Sequence, residues 1–163
     1  MVNLIVLVLA LAVWLIGCSN ANAQRWTVVD VHDGDTIRIE RAGTTEKVRF
    51  ACIDAPELAQ PLGKASRDHL RMLINQADGQ VQVKIMDTDR YGRRVAEVFT
   101  RGQKFLQAEQ AQAGMAYVYD QYLKNCPDAA TVQQAQKIAQ QQKLGVWQRN
   151  YQKPWEYRKR QRS

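Results

Sequence analysis

The sequence predicts an α+β fold that consists of a five-stranded β-barrel with about three helices. Short segments rich in β-branched residues begin at Trp26, and longer segments with helical periodicity fill the second half of the chain. A chain of 163 residues with 45% hydrophobic content has room for one domain of this kind.

The first three strands are expected between Trp26 and Asp54. WTVVDV is rich in β-branched residues, and in TIRIER the side chains of Ile37 and Ile39 alternate with charged ones, as in a half-buried strand. AGTT forms the next turn and leads into EKVRFACID, which we expect to be a single strand. Pro56 ends it.

The later elements are expected in the order helix, two strands and two helices. KASRDHLRMLINQA forms the first helix after Gly63 and ends at Asp78-Gly79. QVQVKIMDT and RRVAEVFTRG form two strands around the turn DRYGR, and helices follow over residues 104–113 and 129–143. This element order is that of an oligonucleotide-binding (OB) barrel with helical additions.

The first 23 residues are expected to be a signal peptide. Leu4–Gly17 is an uninterrupted apolar run, short for a membrane-spanning helix, and Ala21-Asn22-Ala23 has the form of a signal-peptidase site. We therefore expect an exported protein, periplasmic or secreted, whose globular domain covers residues 24–148.

A second processing route stays open at Cys18. The segment Leu15-Ile16-Gly17-Cys18 resembles a bacterial lipobox, in which the cysteine is lipidated and anchors the mature chain to the membrane. In the alternative, Cys18 is discarded with the signal peptide.

Beyond Cys18, only Cys52 and Cys126 remain, and they are a candidate disulfide. An isolated pair of cysteines in an oxidising compartment often forms a bond. The alternative is two buried thiols that pack as small hydrophobic side chains.

The positive charge is concentrated at the C-terminus. The formal net charge is +7, and the tail over residues 149–163 holds six basic residues against Glu156 alone, a net +5. Such a tail suits a polyanion, because attraction to phosphate is strong and independent of sequence. The alternative is a tail that only improves solubility.

Acidic residues cluster in VVDVHDGDTIRIE, where Asp30, Asp33 and Asp35 lie around Gly34. A solvated turn explains this composition, since Asp and Gly are common turn residues. A cation site also explains it, but such a site needs oxygen ligands from other parts of the chain.

Several sequence blocks resemble those of the staphylococcal nuclease (thermonuclease) family. They occur in the family's order from about Trp26 to Trp147. The blocks are DGDT at residues 33–36, RFACIDAPE at 49–57, DRYGR at 89–93, GMA at 114–116 and GVW at 145–147. The resemblance implies a monomeric OB-fold enzyme that cleaves DNA and RNA.

The resemblance also implies a site for one calcium ion. Asp35 and Asp54 match the family's ligating carboxylates, and the carbonyl of Ala55 matches a backbone ligand. Asp33 matches a nearby acid that does not itself bind the ion. Calcium prefers oxygen ligands of these kinds.

Three residues match the family's catalytic groups. Glu57 matches the candidate general base, which orients or deprotonates a water for in-line attack on phosphorus. Arg49 and Arg93 match the arginines that hold the scissile phosphate, for which a planar guanidinium is well suited. The implied products carry 3′-phosphates.

Substrate contacts are implied at two tyrosines. Tyr91 matches a family tyrosine near the terminal phosphate, and of the three tyrosines in AYVYDQY we favour Tyr119 over Tyr117 and Tyr122. Core packing is the alternative for this cluster. The segment Leu58–Lys64 is shorter than the mobile loop of the family's best-known member, so the function of that loop does not carry over.

Two other functions are alternatives to the nuclease. One is an OB-fold protein that binds nucleic acid without cleaving it, and the other is a surface-anchored protein that handles DNA. A protein that only binds has no need of the complete set formed by Asp35, Arg49, Asp54, Glu57 and Arg93. The complete set therefore favours the nuclease.

Overall fold

The fold was analysed in a computed structural model that describes residues 25–123 and 125–162. Five strands form a closed barrel in the order β1-β2-β3-β6-β5, and a separate pair is formed by β4 and β7. The strands are β1 (Arg25–Val31), β2 (Thr36–Arg41), β3 (Thr44–Phe50), β4 (Ile53–Asp54), β5 (Gln80–Thr88), β6 (Arg94–Thr100) and β7 (Tyr117–Val118). The predicted α+β barrel is confirmed.

The described residues form five α-helices and one short 3₁₀ helix at Gly145–Trp147. The α-helices are α1 (Gly63–Asn75), α2 (Leu106–Gln112), α3 (Asp120–Leu123), α4 (Ala129–Gln141) and α5 (Pro154–Gln161). The three predicted helices correspond to α1, α2 and α4, whereas α3 and α5 were not predicted. Helix α5 lies within the segment expected to be a basic tail.

The register of the barrel brings two segments of the predicted site together. Thr36 in β2 pairs with Arg49 in β3, and Arg49 in turn pairs with Val95 in the parallel strand β6. The backbone N–H of Phe50 donates to the carbonyl of Asp35 at 2.7 Å. Asp35 and Arg49 are therefore neighbours because β2 and β3 are neighbours.

The expected single strand EKVRFACID is broken, and this part of the prediction was wrong. Cys52 adopts a left-handed backbone conformation with φ of 70°, which turns the chain between β3 and β4. Strand β4 then leaves the barrel and pairs with β7, so that Asp54 lies opposite Tyr117. The turn moves Asp54 off the line of β3 and towards Arg49 and Asp35.

A disulfide joins Cys52 to Cys126, whose Cα atoms are 5.6 Å apart. The backbone N–H of Tyr119 also donates to the carbonyl of Cys52 at 2.9 Å. These two contacts hold the strained turn in place. The segment before Asp54 is thus held by the disulfide to Cys126 and by the hydrogen bond from Tyr119, the residue that follows β7.

The barrel core consists of apolar side chains that alternate along the strands, as the sequence pattern predicts. Ile37, Ile39, Val48, Val81 and Val98 are all fully buried. Among the described residues, no helix has the length and apolar character needed to cross a membrane. The predicted signal peptide and the lipobox at Cys18 lie outside the described residues.

Candidate active site

Two buried carboxylates form the centre of the candidate site. Asp54 is completely buried and Asp35 is 4% exposed. The guanidinium of Arg49 bridges them, with Nη1 at 2.6 Å from Asp35 Oδ2 and Nη2 at 2.7 Å from Asp54 Oδ1. The N–H of Ala55 also donates to Asp35 Oδ2, at 2.5 Å. Residues from two sequence blocks, DGDT and RFACIDAPE, thus meet at one point.

Asp33 shapes the turn before Asp35. Its Oδ1 accepts a hydrogen bond from the backbone N–H of Asp35 at 3.0 Å, and its side chain is partly exposed. This is the local pattern by which an Asp stabilises a turn. Asp33 therefore lies beside the carboxylate pair, where it adds negative charge.

The same turn is anchored to two helices through Gln110 in α2, which is completely buried. Its Nε2 donates to the carbonyl of Gly34 at 2.6 Å and to the carbonyl of Ser66 in α1 at 3.2 Å. A Cβ on Gly34 would lie 1.8 Å from Ser66 Oγ, so only glycine fits there. His69 is partly buried and hydrogen-bonds to Gln110 Oε1 through Nδ1.

Glu57 joins the cluster through a residue that was not predicted, Arg158 in α5. Arg158 Nη1 lies 2.8 Å from Glu57 Oε1 and 3.0 Å from Asp54 Oδ1, and Nη2 lies 2.7 Å from Asp54 Oδ2. The side chain of Glu57 is 34% exposed, in contrast to that of Asp54. Glu57 is therefore the acid of the cluster that water can reach.

Burial dominates the electrostatics of the two central acids. Desolvation raises the pKa of Asp35 to about 7, although Arg49 opposes the shift. Desolvation also raises the pKa of Asp54, against the hydrogen bond from Arg158 and the charge of Arg49. The hydrogen bonds of Arg158 to Asp54 and Glu57 outweigh its own burial and raise its pKa. A cation at this point relieves the cost of ionising both acids.

Arg93 is held by an acid outside the cluster, Asp89. It comes directly before β6, two residues before Val95, the register partner of Arg49. Its Nε and Nη2 each lie 2.7 Å from Asp89 Oδ2. In the described part of the chain, its side chain thus pairs within its own turn and not with the acids of the cluster.

The two predicted substrate tyrosines have different surroundings. Tyr91 is 67% exposed, and the guanidinium groups of Arg90 and Arg93 lie 4.8 and 5.5 Å from its ring centroid. Tyr119 is partly buried, and its ring stacks on that of Trp155 with 5.1 Å between the centroids. Burial and the charge of Asp54 raise the pKa of Tyr119.

Tyr117 belongs to the core. Only 2% of it is exposed, and its ring packs edge-on against Trp147 and Trp155. Burial raises its pKa to about 12. Tyr117 is therefore a packing residue of the core.

Comparison with known proteins gives the family. The sequence model described as staphylococcal nuclease homologue matches residues 47–149, which is more than half of the chain. The chain belongs to the staphylococcal nuclease family. The matched region contains Arg49, Asp54, Glu57 and Arg93, and it ends before α5.

Individual relatives cover most of the chain. The chain is 38% identical to a micrococcal nuclease of Shigella flexneri, over 83% of this chain and 80% of that protein. It is 32% identical to a thermonuclease of Staphylococcus hyicus, over 80% of each chain. It is 35% identical to an uncharacterized endonuclease of Escherichia coli O157:H7, over 86% of each chain.

Sequence analysis missed Gln110 and Arg158. Gln110 lies in a Gln-rich helix, and no sequence pattern distinguishes it from the other glutamines there. Its role depends on the packing of α2 against α1 and the turn at Gly34. Arg158 lies in a run of basic residues that is typical of a solvated tail. Pro154 at the first helical position and Glu156 three residues after Lys153 are start signals that indicate a helix there.

Proposed function

We propose that this protein is a calcium-dependent nuclease that hydrolyses phosphodiester bonds in both DNA and RNA and leaves 3′-phosphate ends. Membership of the staphylococcal nuclease family makes it a hydrolase that acts on nucleic acids. The observation that carries the proposal is the convergence of Asp35, Asp54 and Glu57 around Arg49 and Arg158.

The donor set fits a divalent cation. Asp35 lies in the turn before β2 and Asp54 lies in β4, yet both already contact the same positive charge, the guanidinium of Arg49. The carbonyl of Ala55 follows directly in the chain, and calcium prefers carboxylate and carbonyl oxygens. We therefore assign one calcium ion to Asp35, Asp54 and the Ala55 carbonyl. When bound, the ion supplies positive charge that stabilises the charge developing on the phosphate.

Glu57 is the residue best placed to act on water. It is partly exposed, and Arg158 donates to its Oε1. Among the described residues, no ion pair engages its Oε2, so this oxygen can accept a hydrogen bond from the attacking water. Glu57 then orients that water or takes its proton, as a general base does.

Arg49 and Arg93 are assigned to the scissile phosphate. A guanidinium pairs with two phosphate oxygens through its planar fork and stays charged at any working pH. Arg49 lies at the carboxylate pair, and Arg93 directly precedes β6, the strand that pairs with β3, so we assign both to the same phosphate. Their charges stabilise the phosphate most strongly as its negative charge builds up.

The surface next to Arg93 suits a flexible nucleic-acid strand. Tyr91 is exposed, and Arg90 and Arg93 lie over its ring. Aromatic faces beside cations bind bases and phosphates without reading the sequence. We propose that Tyr91 and Tyr119 flank the substrate, with Tyr119 on the Trp155 side.

The test is cleavage of DNA and RNA by the purified protein with calcium or with a chelator. The wild type should cleave both polymers with calcium and neither with the chelator. Glu57→Gln should be slower by about 10²–10⁴-fold, the range for a lost general base. The matched control is Glu40→Gln, an exposed acid at the far end of β2, which should cleave like the wild type.

Two outcomes would contradict the proposal. Binding of DNA without cleavage, under any divalent cation, would indicate an OB-fold protein that only binds. A Glu57→Gln variant as fast as Glu40→Gln would remove Glu57 from the mechanism. Mass analysis of the cleaved ends checks the 3′-phosphate assignment.

We further propose that the protein is exported and acts as a monomer, either released by cleavage after Ala23 or anchored by lipidation at Cys18. The support is the apolar run, the signal-peptidase form and the lipobox near the N-terminus. Labelling of cells with a radioactive fatty acid, for the wild type and for Cys18→Ala, distinguishes an anchored chain from a freely secreted one.

A further inference from the structure

We propose that Arg158 is a positioning residue of the nuclease site, and that α5 is therefore a working part of the active site. The inference rests on the proposed function, because it concerns how Glu57 and Asp54 are held for the reaction. It gives a role to the basic C-terminal segment other than the attraction of polyanions.

The first argument is the geometry of the contact. Arg158 Nη1 lies between Glu57 Oε1, at 2.8 Å, and Asp54 Oδ1, at 3.0 Å, so one nitrogen bridges the two acids. Its Nη2 donates to Asp54 Oδ2 at 2.7 Å. Both terminal nitrogens of Arg158 are thus engaged by carboxylates of the protein, and Arg158 is the residue that joins Glu57 to Asp54.

The second argument is the cost of removing this contact. Asp54 and Glu57 are both acidic and lie within hydrogen-bond distance of the same nitrogen, so without a cation between them they repel each other. Asp54 is completely buried in β4, whereas Glu57 lies on a loop and is partly exposed. The repulsion would therefore move Glu57 and leave Asp54 in place.

The third argument is that α5 is docked in a defined position. Trp155 stacks on Tyr119, and Lys153 Nζ lies 3.8 Å from the ring centroid of Tyr117 and 4.6 Å from that of Trp147. Gln60 Nε2, from the loop that carries Glu57, donates to the carbonyl of Gln152 at 3.0 Å. Contacts from several segments thus direct Arg158 towards the acids.

The loop that carries Glu57 has little room to adapt by itself. The backbone N–H of Glu57 donates to Gln60 Oε1 at 3.0 Å, and a Cβ on Gly63 would lie 1.9 Å from the Glu57 carbonyl. The backbone of Glu57 is therefore fixed, and the direction of its carboxylate depends on Arg158. A displacement of about 1 Å in a catalytic group costs on the order of 10²-fold in rate.

The experiment compares the wild type with Arg158→Gln, Arg158→Lys and the control Arg160→Gln in the purified protein. Arg160 is exposed on the same helix, so its substitution removes the same charge without touching the acids. Three quantities are measured for each variant: kcat and KM for cleavage of DNA with saturating calcium, the calcium dissociation constant by calorimetry, and the midpoint of thermal unfolding.

We expect kcat of Arg158→Gln to fall about 10–100-fold below that of Arg160→Gln, because Glu57 is no longer directed. KM should be similar in the two variants, since each loses one positive charge. Calcium should bind to Arg158→Gln at least as tightly as to the wild type, because a positive charge next to Asp54 is gone. Arg158→Lys should fall between, as it keeps the charge but lacks the planar fork.

Each alternative result overturns the proposal in a recognisable way. Equal kcat values for Arg158→Gln and Arg160→Gln would show that the contact is unused, and a higher kcat for Arg158→Gln would show that it inhibits the enzyme. A loss of kcat together with weaker calcium binding and a lower unfolding midpoint in both Arg158 variants would show a role in folding only. A wild type that cleaves nothing overturns the nuclease proposal as well.

Discussion

The two arginines assigned to the scissile phosphate are held in opposite ways. Arg49 is largely buried and bridges acids from two other segments, Asp35 and Asp54. Arg93 is more exposed and pairs with Asp89, four residues earlier in the same turn. One half of the proposed site is thus built from contacts between distant segments, and the other from contacts within one hairpin.

The half of the site around Arg49 has a fixed geometry, whereas the turn that carries Arg93 can adapt its position. The buried half is fixed by the barrel register, the disulfide and α5, so its geometry is set before substrate arrives. In the Asp89–Arg93 turn, the N–H groups of Tyr91 and Arg93 both donate to Asp89 Oδ1, at 2.9 and 3.0 Å. A turn closed on itself in this way can shift as a unit towards a flexible polymer.

The largest effect is expected from Arg49→Gln. It leaves two buried acids without their shared cation, and breaking a buried ion pair from one side costs about 3–5 kcal/mol. The cleavage rate should also fall by about 10²–10³-fold, as for a lost contact to the developing charge. Chemical denaturation and initial cleavage rates measure the two losses, and a variant as stable as the wild type would contradict the buried half of the comparison.

The next largest effect is expected from loss of the disulfide in a Cys52→Ser, Cys126→Ser double variant. The bond joins residues 74 positions apart, and the chain-entropy model gives such a loop about 4 kcal/mol of stability. It also fixes the left-handed turn before Asp54. Unfolding with and without reductant tests this, and the double variant should not respond to reductant.

Arg93→Gln should affect the rate with little change in stability. The lost phosphate contact should slow cleavage by about 10²-fold. The lost pair with Asp89 is partly exposed and local, so the free energy of unfolding should change by less than about 1 kcal/mol. The same two assays as for Arg49→Gln apply, and a large loss of stability here would remove the distinction between the two halves.

The smallest effect is expected in the pH dependence of the stability that the Asp89–Arg93 turn contributes to the fold. Burial alone would raise the pKa of Asp89, but hydrogen bonds from the backbone and side chain of Arg93 outweigh it and lower this pKa below 3.8. A lowered pKa stabilises the fold above the unfolded value, and this stabilisation is lost as the pH falls through the folded value. Asp89→Asn should therefore be slightly less stable than the wild type at neutral pH, and denaturant unfolding should show this difference shrinking as the pH falls through the folded pKa of Asp89.

Most of the barrel strands could be predicted because the residue pattern that indicates each strand lies within that strand. The alternation of Ile37 and Ile39 with charged residues gives β2, whose observed bounds are those expected. The break between β3 and β4 could not be predicted, because Cys52 adopts a conformation that its residue type disfavours. Tertiary contacts through Cys126 and Tyr119 impose it.

The site was predictable only where the family blocks carry it. Asp35, Arg49, Asp54 and Glu57 lie in those blocks, and the structure brings all four together. Arg158 lies 101 residues from Glu57 in sequence, and its contact depends on how α5 docks. A basic run without that docking information indicates only a solvated tail.

Calorimetric titration with calcium tests most directly the claim that distant residues converge on a single ion. The account predicts one calcium ion per chain for the wild type, no measurable binding for Asp54→Asn, and unchanged binding for the matched control Asp89→Asn. Binding to Asp54→Asn with the affinity of the wild type would contradict it.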